Sequence, residues 1–455
     1  MPKLVIAVGG TGQQVALTLS HLVYLKAVPE DFELRVVDAD ERGGVIHRLS
    51  GFEGFCDKDS KPQLYPHPLR WSGELLPPYA VGAMNQAQDR TFKALMEINP
   101  QSPVDDRAAF DALFTADDAR LDVANGFYGR PLIGATSFAA QGGDMTNRLR
   151  AEVANAEQVF FTGSLIGGTG AGVLPAMIGQ LSRSTEQRAK TFAALIVNHL
   201  SSNANAADQI RPEQMDDNFR HGIKYFYDHV KPRLKATALM GPPAQHTALT
   251  QARPYAEAQR SIFPLLACRA IFEMASNTTE PWNGAVLAWG HDADKEQSLV
   301  NETWDRGVSL AERLRRADST LAVLRELLDA KNRLGSELGF WGFDSALPKA
   351  LRSIRGYGRA AELSTSRFVD LLFADLDRRR QALEASLTAV RQVFKDAGAQ
   401  RDDAVRSGHV LHRLKRIWSD PPPSAPEGKF SPEERVATLG QRLFDSLLDS
   451  DAPRI

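Results

Sequence analysis

The stretch from Gln158 to Gly172 constrains this chain more than any other. An apolar, β-rich run, Gln158-Val159-Phe160-Phe161, gives way to Gly167-Gly168-Thr169-Gly170-Ala171-Gly172, and the apolar segment Val173–Ile178 follows with helical spacing. Glycines at this density let the backbone reach φ > 0 and lie in contact with a ligand. The N–H groups opening the next helix then point outward, with the positive end of the helix dipole behind them. Strand, glycine loop and helix together make a phosphate cradle. It is not a Walker A loop, because no lysine follows the last glycine. It also lies too deep in the chain for a dinucleotide fingerprint. The alternative is a glycine-rich turn that holds no ligand.

A second loop has the same character. The apolar run Leu4–Val8 ends in Gly9-Gly10-Thr11-Gly12-Gln13-Gln14, where a helix begins. The strand Glu33–Val37 ends in Asp38-Ala39-Asp40-Glu41. Asp38 and Asp40 are two apart, so an extended backbone puts both carboxylates on one face. Two readings stay open. The first loop with Asp38 as a ribose-binding acid fits a dinucleotide fold and an NAD(P)-dependent oxidoreductase. Two glycine loops flanking an acidic one fit a site for a nucleotide with its metal, where one or two carboxylates suffice for magnesium.

Gly167–Gly172 resembles the signature loop of the tubulin and FtsZ superfamily, and the chain resembles a divergent prokaryotic member of it over roughly residues 1–290. The resemblance implies an α/β fold: a Rossmann-like parallel sheet with helices on both faces, then a long central helix. It implies that Gly9, Gly10, Thr11, Gly12, Gln13, Gly167, Gly168, Thr169, Gly170, Ala171 and Gly172 hold the phosphates of GTP or GDP. Asp38 and Asp40 would approach Mg2+, and Asn218 would bind the ribose or base. Gly82-Ala83-Met84-Asn85-Gln86 would be the loop that senses the γ-phosphate, and Arg130-Pro131-Leu132-Ile133-Gly134 a turn ahead of the signature loop. The implied activity is GTP hydrolysis at a junction between head-to-tail subunits, with Glu280 as the catalytic acid, the only one in the window 275–283. Three departures weigh against close kinship, the weightiest being that 275–283 lacks the family's Asn-x-Asp with a further acid, so that either Glu280 does that job or the catalytic loop is degenerate. Gly241-Pro242-Pro243 stands where the family has a guanine-reading asparagine, and the residues beyond about 295 read as helices rather than as a second α/β domain. A GTP-binding scaffold or regulator without turnover is therefore a further alternative.

The rest of the chain sets the organisation. A length of 455 residues implies two or three domains. Net charge of −2 argues against a dedicated nucleic-acid site. Cys56 and Cys268 form neither a disulfide framework nor a zinc site, and with no signal peptide or membrane span in view the expectation is a cytoplasmic protein. Further strands are expected at Thr191–Asn198, Lys235–Met240 and Ala285–Trp289. Helices are expected at Gln13–Leu25, Val173–Arg188, Pro212–His229, 245–276 with a kink at Pro264, Glu296–Arg316, Ser319–Asn332 and Ser366–Ala397. The expected domains are 1–245 for nucleotide binding, 246–295 for the central helix and the strand after it, and 296–418 for a helical domain. A proline-rich linker at 419–432 would lead to a terminal amphipathic helix and tail at 433–455. That helix, with its apolar face within 433–449, either docks on its own domain or presents itself to a protein partner.

Overall fold

The computed structural model describes residues 3–29, 31–39, 70–75, 91–123, 126–127, 129–197, 200–201, 212–241, 249–250, 262–276, 285–290, 299, 301–305, 307–337, 365–394 and 432–449. These fall into two compact units. One takes most of the chain up to Ser298, and the other gathers Tyr24–Ala27 with the residues from Leu299 onward.

The first unit begins with β1 (Lys3–Val8), α1 (Gly9–Tyr24), β2 (Phe32–Asp38) and β3 (Arg70–Leu75). Five helices come next: α2 (Phe92–Leu95), α3 (Val104–Leu113), α4 (Ala116–Ala119), α5 (Pro131–Gln141) and α6 (Gly143–Asn155). They lead into β4 (Gln158–Ser164), α7 (Gly168–Leu181), α8 (Thr185–Ala189) and β5 (Thr191–Ile196). The unit continues with β6 (Leu200–Ser201), α9 (Pro212–Tyr225), β7 (Ala236–Gly241), β8 (Leu249–Thr250), α10 (Phe263–Ser276) and β9 (Ala285–Gly290). Seven strands form one sheet in the order β3-β2-β1-β4-β5-β7-β9. Every pairing in it is parallel. This is the doubly wound arrangement expected from the alternation of strands and helices.

Both faces of the sheet are apolar, as a parallel sheet covered on both sides requires. Leu4, Ile6, Val8, Val159 and Phe161 face one layer, built with α5, α6 and α7. On the alternate positions Phe160 stacks on Phe192 at 5.1 Å and meets Phe32 edge-on at 6.3 Å. Lys3 and Lys235 lie over the outer rings of that row. Against this second face α10 packs on β5 and β7, and its Cys268 thiol donates to the Val15 carbonyl of α1 at 3.5 Å.

Several elements differ from the sequence expectation. Helices α1 and α7 start at Gly9 and Gly168, so each glycine loop forms the first turn of a helix instead of preceding it. The helix expected to run to Arg188 ends at Leu181, where the capping box Ser184–Gln187 starts a new one. Arg130–Gly134 is the start of α5 and not a turn, because Pro131 occupies the first helical position, where its missing N–H costs nothing. Pro264 likewise sits in the first turn of α10 and introduces no kink within it. After Tyr225 the helix widens into a π-helical turn, Phe226–Val230, whose Phe226 and Val230 are buried, and then tightens into a 3-10 turn at Lys231–Arg233.

The second unit is helical, with one hairpin. β10 (Thr303–Asp305) pairs antiparallel with β11 (Val308–Ser309). The expectation of a helix across Glu296–Arg316 fails here, since Gly307 at φ +75° makes the tight return that a helix cannot. α11 (Leu310–Glu337), α12 (Thr365–Val393) and α13 (Pro432–Asp449) follow, each packed on the other two. The two helices expected between 296 and 332 are thus a hairpin and the single helix α11.

Candidate functional site

Three adjacent strands, β2, β1 and β4, end at the same edge of the sheet. The chain passes from β1 to β2 on one side and reaches β4 on the other, so β1 and β4 flank the point where strand order reverses. Crevices at such points are where open α/β sheets bind ligands. Here the crevice is bordered by the first turns of α1 and α7. Neither turn contains an acidic residue, and α7 has Gly167 as its N-cap with no side-chain hydrogen bond. Two helix N-termini side by side, with no acid of their own, favour an anion.

The glycines divide by what surrounds them. Gly9 takes φ +73°, and a Cβ there would lie 3.1 Å from the Gly170 nitrogen, so the two loops touch at this residue. Gly168, Gly170 and Gly172 are required by the protein's own packing. A Cβ on them would fall 2.6 Å from Phe127 Cβ, 2.2 Å from the Ser164 carbonyl oxygen and 2.2 Å from the Pro131 carbonyl oxygen respectively. Gly167 alone of this loop faces open space, in an extended conformation that any residue adopts. The glycine run thus serves mainly to press α7 against α5 and the end of β4, and a single position opens toward a ligand.

Asp38 binds the two loops together. Gln13 Nε2 donates to its Oδ2, Thr169 Oγ1 donates to its Oδ1 at 3.1 Å, and the Ala39 N–H donates to Oδ1 at 2.7 Å. Gln13, Asp38 and Thr169 are only 0, 4 and 8% exposed. The carboxylate is therefore a buried clamp between α1 and α7. It is not presented to a ribose, so the oxidoreductase reading loses its acid, and its role toward a metal would be indirect. Gln13 Oε1 is buried with no hydrogen-bond partner among the described residues. Asp40 lies outside the described residues.

Asn218 lies on α9 one turn before Gly222, whose added Cβ would be 3.0 Å from the Leu165 carbonyl oxygen. Spacing of four residues puts both on one helix face. That face is turned to the loop after β4, and Asn218 Nδ2 donates to the Gly129 carbonyl at 3.0 Å. Arg130 next to it pairs with Asp118 at 3.0 Å. Glu280, the window Gly82–Gln86, Pro242 and Pro243 lie outside the described residues.

A further helix N-terminus, not expected from the sequence, lies toward this edge, with the acidic Asp144 in its first turn. α6 returns to β4 through only Ala156 and Glu157, so it runs antiparallel to that strand and its first turn lies toward the same sheet edge. Gly142 caps it without a side chain, and a Cβ on Gly143 would meet nothing within 4 Å. The pair Gly142-Gly143 ahead of a helical pattern was the available signal. Among the described residues no group of three or more His, Cys, Asp or Glu is placed to hold a metal, and no helix is long and apolar enough to cross a membrane.

No protein family description and no curated protein matches the sequence. Among solved structures the chain is similar to CetZ2 from Haloferax volcanii, described as a GTPγS-bound protofilament, at 15% identity and a TM-score of 0.36. The match covers 61% of this chain and 59% of that one. It is also similar to CetZ from Methanosaeta thermophila, at 14% identity and a TM-score of 0.31, over 62% of this chain and 56% of that one. The chain thus spans less than two thirds of the structures it matches, and likenesses of this extent assign no activity.

Proposed function

We propose that the first unit binds a nucleoside di- or triphosphate, with its phosphates on the N-termini of α1 and α7. The observation that carries this reading is the convergence of two acid-free helix N-termini at the strand-order reversal, with Gly167 open between them. Gly10, Thr11, Gly167 and Ala171 are the partly exposed members of the two loops. They would meet the phosphates, while Gly9, Gly12, Gln13, Gly168, Thr169, Gly170 and Gly172 hold the loops in shape. The tubulin-like resemblance of Gly167–Gly172 makes guanine the expected base, with Asn218 toward the ribose or base once it leaves the Gly129 carbonyl.

Magnesium fits as the phosphates' counter-ion. It would bind mainly to phosphate and water, and the unpartnered Gln13 Oε1 is an acceptor for a metal-bound water. Bound there, the ion would neutralise phosphate charge. GTP hydrolysis at a junction between copies, with Glu280 orienting the water, is the further step of this reading. Self-association through the nucleotide goes with it. Chromatography of nucleotide released from the purified protein tests the binding step: GTP or GDP supports it, and a nicotinamide dinucleotide or an empty protein refutes it. Phosphate release per molecule that rises with protein concentration supports the shared active site. Release that is independent of concentration removes the junction.

A further inference from the structure

The terminal helix α13 is docked on α11 and α12, yet much of what makes it a helix comes from its acceptor. Eighteen residues long, it has no basic residue in its last turn and carries Asp445 and Asp449 near its C-terminus. Acids there oppose the helix dipole. Gly440 lies in its interior, where glycine lowers helix propensity but lets α13 approach α12 so closely that a Cβ would collide with Asp375 Oδ2. The missing stabilisation is supplied by cations from elsewhere in the second unit. Lys26 pairs with Asp445 at 3.0 Å and with Asp449 at 2.7 Å. Arg313 reaches the Asp449 carboxylate at 3.5 Å, and Arg316 donates to the Asp449 main-chain carbonyl at 3.1 Å, capping the helix end. Lys26 holds a left-handed backbone at φ 54°, which is rare for a residue with a side chain and persists only where surroundings impose it.

The apolar face alone does not make this attachment permanent. Val436, Leu443, Phe444, Leu447 and Leu448 are buried, and Tyr24 meets Phe444 at 5.5 Å. Against that burial stands the entropy of ordering all eighteen residues. The sequence before the helix, Asp420-Pro421-Pro422-Pro423-Ser424-Ala425-Pro426, has the composition of a tether. α12 carries internal pairs from Arg379 to Asp375 and from Arg380 to Glu384, while its Arg391 pairs with Asp318 of α11 and its Arg379 also donates to Gln441 of α13.

We propose that α13 is a detachable strap: a helix that forms on its acceptor, is held there by the clamp of Lys26, Arg313 and Arg316 on Asp445 and Asp449, and lets go when those charges are screened or reversed. Release uncovers the apolar surface around Tyr24.

Hydrogen exchange on the full-length protein tests this. On raising salt from about 50 mM to about 500 mM, which shortens screening distances several-fold, protection of 432–449 falls by about tenfold while α11 and α12 keep theirs. The double variant Asp445→Lys with Asp449→Lys gives the same selective loss at low salt, and adding Lys26→Glu restores part of it. Protection of 432–449 that stays level with α11 and α12 under salt and charge reversal overturns the proposal. So does reversal that opens all three helices together. Either result makes α13 an integral bundle helix.

Discussion

The crevice at the ends of β1 and β4 and the clamp on α13 are both held by charge, and they use it in opposite ways. At the crevice, the carboxylate that ties the loops among the described residues is Asp38, buried and held by protein donors, while the first turns of α1 and α7 carry no acid of their own. On α13, partly exposed acids are neutralised by cations from other elements, and no potential is left over. The first arrangement is the one proposed above to receive an anion. The second is organised to attach one segment of chain to another.

The contrast predicts where damage spreads. Phe160→Ala removes the central ring of the buried aromatic row and costs about 4 kcal/mol. Denaturant unfolding followed in the first unit will show a lowered midpoint, and a loss under about 1 kcal/mol would mean that the sheet's second face is loosely packed. Asp38→Ala ranks next. It strands Gln13 Nε2 and Thr169 Oγ1 without their acceptor and costs about 3 kcal/mol. It also weakens nucleotide binding by separating the two loops, which titration calorimetry will read.

In the second unit the effects are smaller and depend on pH. Burial pushes the Asp375 carboxyl up to about 6, against the opposing pull of the Arg379 guanidinium. A carboxyl raised in the folded state binds its proton there first. Stability from this group therefore grows as pH falls through 6 and levels off near its unfolded value of 3.8. Between about pH 7 and about pH 5 the gain is about 1 kcal/mol, and Asp375→Asn removes that slope from melting curves followed in the second unit. Glu312 behaves in reverse. Hydrogen bonds from Arg315, opposed by partial burial and aided by Arg316, lower its carboxyl, so its contribution is lost only in acid. Because solvent still screens the partly exposed Glu312, Glu312→Gln costs at most about 0.5 kcal/mol at neutral pH, and a larger loss would reveal a network that reaches beyond one helix turn.

Sequence alone disclosed six of the seven strands of the sheet because they are rich in apolar residues, and the two glycine loops because glycine is conspicuous; β3, Arg70-Trp71-Ser72-Gly73-Glu74-Leu75, carries no apolar run and was missed. It misplaced the starts of α1 and α7, since glycines read as loop until Phe127 and the Ser164 and Pro131 carbonyls are seen pressing on them. The Asp38 clamp was illegible: its partners lie 25 and 131 positions away. The hairpin at 303–309 was legible and overlooked, for Thr303-Trp304-Asp305 and Gly307 carry strand and turn signals. Trp304 is buried with its Nε1 on the Leu299 carbonyl, which fixes what periodicity had left open.

Gly167 offers the most direct test of the crevice. Asp and Asn both suit a helix N-cap, so either replacement keeps or slightly raises the stability of α7, and the two differ in charge alone. Calorimetric titration of the full-length protein with GTP and Mg2+ is predicted to show binding to Gly167→Asn and a loss of about tenfold or more in Gly167→Asp, where the new carboxylate takes the anion's place. Equal affinity in the two variants would contradict a phosphate site between α1 and α7.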